Sequence, residues 1–111
     1  MALQVNSTGP NSWSLCASGD LGTAFAALTQ VASKRHFIKK ISAMMGAHTI
    51  IIAQGTDATA EKTLLTLASA AASTSLVHEF IKPIPLDTNK SIIIDASTTG
   101  VSTVIIEGET I

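Results

Sequence analysis

The side chains able to do chemistry in this 111-residue chain are few and scattered: three histidines (His36, His48 and His78), one cysteine (Cys16) and eight carboxylates. A metal site needs two to four ligands converging on one point. The histidines all fall in stretches that read as strands, and nothing in their spacing demands convergence, so each reads as a polar group on a sheet face or strand end. Cys16 sits in a loop-like stretch with no histidine nearby, whereas a catalytic thiolate needs a base within reach. Ser and Thr are plentiful, but none occupies a nucleophile elbow. Asp57, Asp87 and Asp95 fall at turns, where Asp bonds its own backbone. Glu107 and Glu109 alternate, as on a solvated strand face. No loop gathers the oxygens that calcium takes, and no Gly-rich phosphate loop is present. The expectation is no catalytic residue, no metal ligand, no cofactor and no enzymatic activity.

Composition points to association. Hydrophobic residues make up 46% of the chain and charged residues 14%, against roughly 25% charged in an ordinary soluble domain. The surface must then be covered by Ser, Thr, Asn, Gly and Ala, which suits packing against protein. Net charge is −1, so no electrostatic footprint for nucleic acid exists. The one basic cluster, Lys34, Arg35, His36, Lys39 and Lys40, reads as the start of a strand with a solvated edge. A lone cysteine permits no intrachain disulfide and fits folding in a reducing cytoplasm. The first residues lack the basic and apolar regions of a signal peptide. The apolar runs are too short for a membrane span, and no membrane partner is expected.

The elements that must position these groups read as strands. Residues 1–22, rich in Ser, Asn, Gly and Pro, carry turn chemistry and read as an extended N-terminal arm. Within it, Trp13 and Leu15 alternate with Ser12 and Ser14. They are the expected contact of this arm with a neighbour or partner, although a lone Trp anchors within its own chain as readily. Residues 23–32 fit a helical stripe (Leu21, Phe25, Leu28, Val31) and a strand face (Phe25, Ala27, Thr29, Val31) equally well. Strand is the reading taken, because everything after is β. Strands follow at His36–Met45, His48–Gln54, Lys62–Leu67, Leu76–Ile81, Ser91–Ala96 and Val101–Glu107. A Ser/Ala-rich connection spans residues 68–75. Pro83 and Pro85 confine Lys82–Leu86 to an edge or crossing loop. Strands spaced by about a dozen residues predict an all-β fold: an antiparallel, jelly-roll-like β-sandwich over residues 23–111.

Three aliphatic triplets stand out: Ile50-Ile51-Ile52, Ile92-Ile93-Ile94 and Val104-Ile105-Ile106. Successive strand side chains point to opposite faces, so each triplet puts large apolar groups on both. One set fills the core. The middle residues, Ile51, Ile93 and Ile105, are expected at a contact between layers or subunits.

The strand opening Lys34-Arg35-His36-Phe37-Ile38, the Gly55 turn, the segment Phe80-Ile81-Lys82-Pro83-Ile84 and the final Ile/Val hairpin together resemble small β-sandwich virion proteins of tailed phages, of the capsid decoration (cement) type. The similarity covers residues 23–108. It departs at the end, where Glu107-Gly108-Glu109-Thr110-Ile111 lacks the usual closing aromatic. The resemblance implies a jelly-roll-like homotrimer, made in the host cytoplasm, that binds the major capsid protein on the exterior of the capsid and stabilises the shell. The alternative is a tail-associated or surface-displayed host-recognition module. The few aromatic residues and the absence of Tyr weigh against a glycan site.

Overall fold

A computed structural model of the chain describes residues 1–68, 74–97 and 100–111. The described residues form nine strands: β1 (Ala2–Ser7), β2 (Ser12–Asp20), β3 (Phe25–Leu28), β4 (His36–Met45), β5 (Thr49–Thr56), β6 (Thr59–Ala68), β7 (Thr74–Pro85), β8 (Ser91–Ala96) and β9 (Val101–Thr110). They build two antiparallel sheets, one of five strands in the order β1-β2-β9-β4-β7 and one of four in the order β3-β8-β5-β6. The pairs are nested: β5 with β6, β4 with β7, β3 with β8, β2 with β9. A long hairpin wound over on itself into two layers has this pairing, as in a jelly roll. Strand β1 stands outside the nest, as an added edge.

The core lies between the layers. Leu15, Ala17, Ile41, Ala43, Val104 and Ile106 from the larger sheet meet Ile50, Ile52, Ile92 and Ile94 from the smaller, all buried. Each Leu, Ile or Val side chain among them contributes about 1.5–3 kcal/mol on leaving water. The ends are closed by polar pairs. Gln54 donates through Nε2 to Asp87 Oδ2 (2.8 Å) and accepts from the Asp87 backbone N–H (3.0 Å), seating the loop between β7 and β8. The tight turn joining β5 to β6 puts Asp57 at φ 54°, which a short polar side chain tolerates.

Register shifts shape the larger features. In β3 the register shifts between Ala26 and Leu28, so Phe25 faces Ile94 and Leu28 faces Ile92 on the same side. A shift between Ile38 and Lys40 likewise keeps Ile38 and Ile41 both in the core. Opposite it, β7 steps from Glu79, paired with Lys40, to Ile84, paired with Ile38. Of the residues between, Phe80 packs against the core, whereas Ile81 is fully exposed.

Two expectations change. Residues 1–22 are not an arm: β1 and β2 form a hairpin in register from Ala2↔Ser18 to Ser7↔Trp13, and β2 then pairs with β9 over its whole length. Trp13 and Leu15 are consequently core residues, 7% and 1% exposed. The alternation with Ser12 and Ser14 is the ordinary in-and-out pattern of a strand half-buried in a sheet. The ambiguous stretch contains strand β3, because pairing with β8 outweighs the helical propensity of its alanines. The connection expected at residues 68–75 lies outside the described residues at 69–73, as do residues 98 and 99 of the final turn; Ala68 and Ser75 themselves belong to strands.

Candidate assembly surface

The outward face of the five-stranded sheet is laid out in rows set by strand register. One row runs Ala2–Ser18–Thr103–Met44–Ser75 and the next runs Gln4–Cys16–Ile105–Ser42–Val77. Neither row holds a charge. Met44 is 59% exposed, Val77 64% and Ile105 39%, with Val101 exposed beyond them. A shallow groove of about 330 Å³ runs among Ser42, Met44, Ser75, Val77, Thr103 and Ile105. The third row changes character: Asn6–Ser14–Glu107–Lys40–Glu79. Next to it Lys39 pairs with Glu109 at 3.3 Å. Apolar groups exposed together on a sheet face are the feature to explain, since single exposed ones are ordinary on any surface.

The middle residues of the aliphatic triplets part company. Ile105 lies in this uncharged face. Ile51 is half-buried on the outward face of the smaller sheet, between Asp95 and Thr66. Ile93 lies on that same face, opposite Ala26 and Ala53, yet is completely buried. Its Cδ1 reaches over Gly55, where an added Cβ would come within 2.7 Å of it. Ile93 is therefore covered by its own chain and is not available to a subunit contact.

The groups able to do chemistry have separate partners. His36 is buried at the start of β4, with Nδ1 2.7 Å from Thr110 Oγ1 and Nε2 2.8 Å from the Thr29 carbonyl. Trp13 Nε1 donates to the same Thr110 oxygen at 3.0 Å, and its ring meets the imidazole edge-on. Burial lowers the His36 pKa from its ordinary value, while the hydrogen bond to Thr29 opposes the shift. His48 is buried with Nε2 2.7 Å from Ser102 Oγ, which also accepts the Gly46 N–H at 3.4 Å. Sequence spacing gave no sign of this serine–histidine pair, whose members are 54 positions apart. Ser102 is 2% exposed, and the pair ties β9 to the turn between β4 and β5. His78 stacks on Phe80 along exposed β7. Cys16 is half-buried on the outward face between Gln4 and Ile105. Among the described residues, no three His, Cys, Asp or Glu side chains converge.

A second groove, of about 510 Å³, opens where the β4 and β7 bulges bend the larger sheet. Lys39, Lys40, Glu79 and Glu107 line it with Phe80, Ile81 and the edge of Trp13. No protein-family model matches the chain, and no curated protein matches it.

Proposed function

We propose that the protein is a structural component of a phage virion, a decoration protein that binds the outer surface of the capsid as a homotrimer and stabilises the shell. The observation that carries the binding role is the pair of uncharged rows on the five-stranded sheet, with Met44, Val77 and Ile105 exposed together. The setting rests on the resemblance of the His36 strand, the Gly55 turn and the Phe80–Ile84 segment to such proteins. The partner would be the major capsid protein. A protein that binds the assembled lattice and not the free subunit stabilises the lattice by mass action. Contact through the sheet face replaces contact through Trp13 and Leu15, which the core consumes.

The test is co-sedimentation with capsids stripped of decoration. Wild-type chain should pellet with them, and a Met44→Lys/Val77→Lys variant should bind at least ten-fold more weakly while keeping its β-sheet circular dichroism. Undiminished binding by that variant would overturn the assignment of the face. A strict monomer in sedimentation equilibrium at the highest soluble concentration would count against the trimer.

The second reading, a host-recognition module, is favoured by one feature, the charged groove beside Trp13 and Phe80. Aromatic edges next to carboxylates and amines suit a glycan. Saturation-transfer NMR with host surface glycans tests it, and transfer abolished by Lys40→Ala would move the assignment to that groove.

A further inference from the structure

Strand β1 is exposed along its whole length, pairs on one side only and carries no charge. The five-stranded sheet is one strand wider than the sheet it packs on. Strand β3, the margin of the smaller sheet, comes against β2, so β1 overhangs. Leu3 and Val5 lie opposite Ala17 and Leu15 on the inward face. Ala17 and Leu15 are buried, whereas Leu3 and Val5 remain 40% and 44% exposed. A groove of about 300 Å³ runs beneath, lined by Val5, Trp13, Leu28 and Val31 among others.

Proteins that stay monomeric blunt such edges with charge, proline, bulges or brevity. The other three margins of this sandwich are blunted in those ways. Strand β6 carries Glu61 and Lys62, β7 is broken by its bulge and by Pro83 and Pro85, and β3 has four residues with a register shift. The edge of β1 has none of these devices.

We propose that β1 pairs antiparallel with the β1 of a second copy of this chain, across a two-fold axis at Gln4. The sequence Ala2-Leu3-Gln4-Val5-Asn6 is self-complementary in that register. Leu3 of one copy falls opposite Val5 of the other, both on the inward face, and Gln4 falls opposite Gln4 on the outward face. A two-fold contact uses one patch twice, and an uncharged patch can do so without repulsion. The product is one continuous ten-stranded sheet that sets the four inward aliphatic side chains against one another and satisfies the free backbone groups of both edges. Six residues a side is small beside the roughly 20–30 a side of a stable interface, so pairing in solution is concentration-dependent. This contact is distinct from any three-fold one. On a decorated shell it would link one trimer to the next, and that last consequence rests on the function proposed above.

Disulfide trapping without capsids tests the pairing. The variant is Gln4→Cys in a Cys16→Ser background, because Cys16 lies directly opposite Gln4 and would capture the new thiol within the chain. Paired Cα atoms across an antiparallel ladder are about 4.5–5.5 Å apart, inside the range a disulfide spans. The comparison is Thr66→Cys/Cys16→Ser, which puts a thiol on the outward face of β6, a blunted edge. Mild oxidation should convert most of the Gln4→Cys chain to covalent dimer and the Thr66→Cys chain at least ten-fold less. Adding Val5→Lys to the Gln4→Cys chain should reduce trapping by a similar factor. Equal trapping at positions 4 and 66 overturns the proposal, as does trapping that Val5→Lys leaves unchanged in a folded chain. If Val5→Lys fails to fold, the comparison of positions 4 and 66 decides alone.

Discussion

His36 Nδ1 and Thr110 Oγ1 are 2.7 Å apart, one of two hydrogen bonds that hold the buried imidazole. The carbonyl of Thr29 can only accept, so Nε2 carries the hydrogen. Nδ1 is then an acceptor, served by the Thr110 hydroxyl, whose oxygen accepts in turn from Trp13 Nε1. One directed chain, Trp13 to Thr110 to His36 to Thr29, links β2, β9, β4 and the segment after β3. It works with neutral imidazole. A proton on Nδ1 would leave the Thr110 hydroxyl hydrogen without its acceptor.

Stability should therefore fall on mild acidification. The His36 pKa is lowered in the fold from an ordinary value of 6.5, with burial as the main cause. Between the lowered value and 6.5, the unfolded chain binds more protons than the folded one. The stabilisation from this site is complete above the unfolded value and is lost as pH falls through the folded one. The melting temperature of the wild type should drop across that window, and His36→Gln should show a shallower drop. An NMR titration of the imidazole identifies the site directly. A His36 midpoint at or above the ordinary value would refute the assignment.

Trp13 tests whether the N-terminal residues belong to the fold. Trp13→Ala should cost about 3–5 kcal/mol in chemical denaturation, the usual loss for a large buried aromatic. Trp13→Phe should cost less, including about 1 kcal/mol for the hydrogen bond to Thr110. A Trp whose only role was to grip a partner would leave the isolated chain as stable as before.

Gly108 occupies a point of close backbone approach. A Cβ there would come 2.0 Å from the Phe37 carbonyl oxygen and 2.8 Å from the Trp13 ring. Backbone cannot yield as a flexible side chain can. Gly108→Ala should destabilise by about 1–3 kcal/mol or more, read from the denaturation midpoint. Wild-type stability in that variant would mean that β9 and β4 are not in the described register.

On the outward face the expectation reverses. Met44→Ser and Val77→Ser should change stability by no more than about 0.5 kcal/mol, because both side chains are mostly in solvent. A large loss on either substitution would show that the side chain is covered within its own protomer.

Lys90 Nζ lies 2.6 Å from Glu61 Oε1 and holds that carboxyl below its ordinary pKa. Lys90→Ala should raise the Glu61 midpoint toward the ordinary carboxylate value in an NMR titration. An unmoved midpoint would mean that the pair does not form in solution.

The aliphatic triplets made the sandwich legible, because a period of two over runs bounded by Gly, Asp and Ser leaves little else for Ile92–Ile94 to be. What was obscured has local causes. Phe25 and Leu28 sit three apart on one face because a bulge intervenes, and three is also a helical spacing. Trp13 and Leu15 were masked by the polar residues around them. Their outward neighbours Ser12 and Ser14 are small polar residues, which suit a turn as well as a solvated strand face. Whether Ile93 packs within its own chain or between subunits is not legible in sequence, because either one buries the second face of the strand. The pair of His48 and Ser102 left no trace, since a turn residue and a strand residue brought together by a nested fold are remote in sequence.

The nested winding also orders events in time. The β5–β6 hairpin closes a short turn, whereas Trp13 and Thr110, which bond across β2 and β9, are 97 positions apart. Closing long loops costs entropy before any contact compensates for it, and such topologies fold in milliseconds to seconds. Assembly of the sandwich should accordingly zip outward from β5 and β6 and finish with β2 against β9. During synthesis the early strands must wait for the last one to emerge, with the bare edge of β1 beside them throughout.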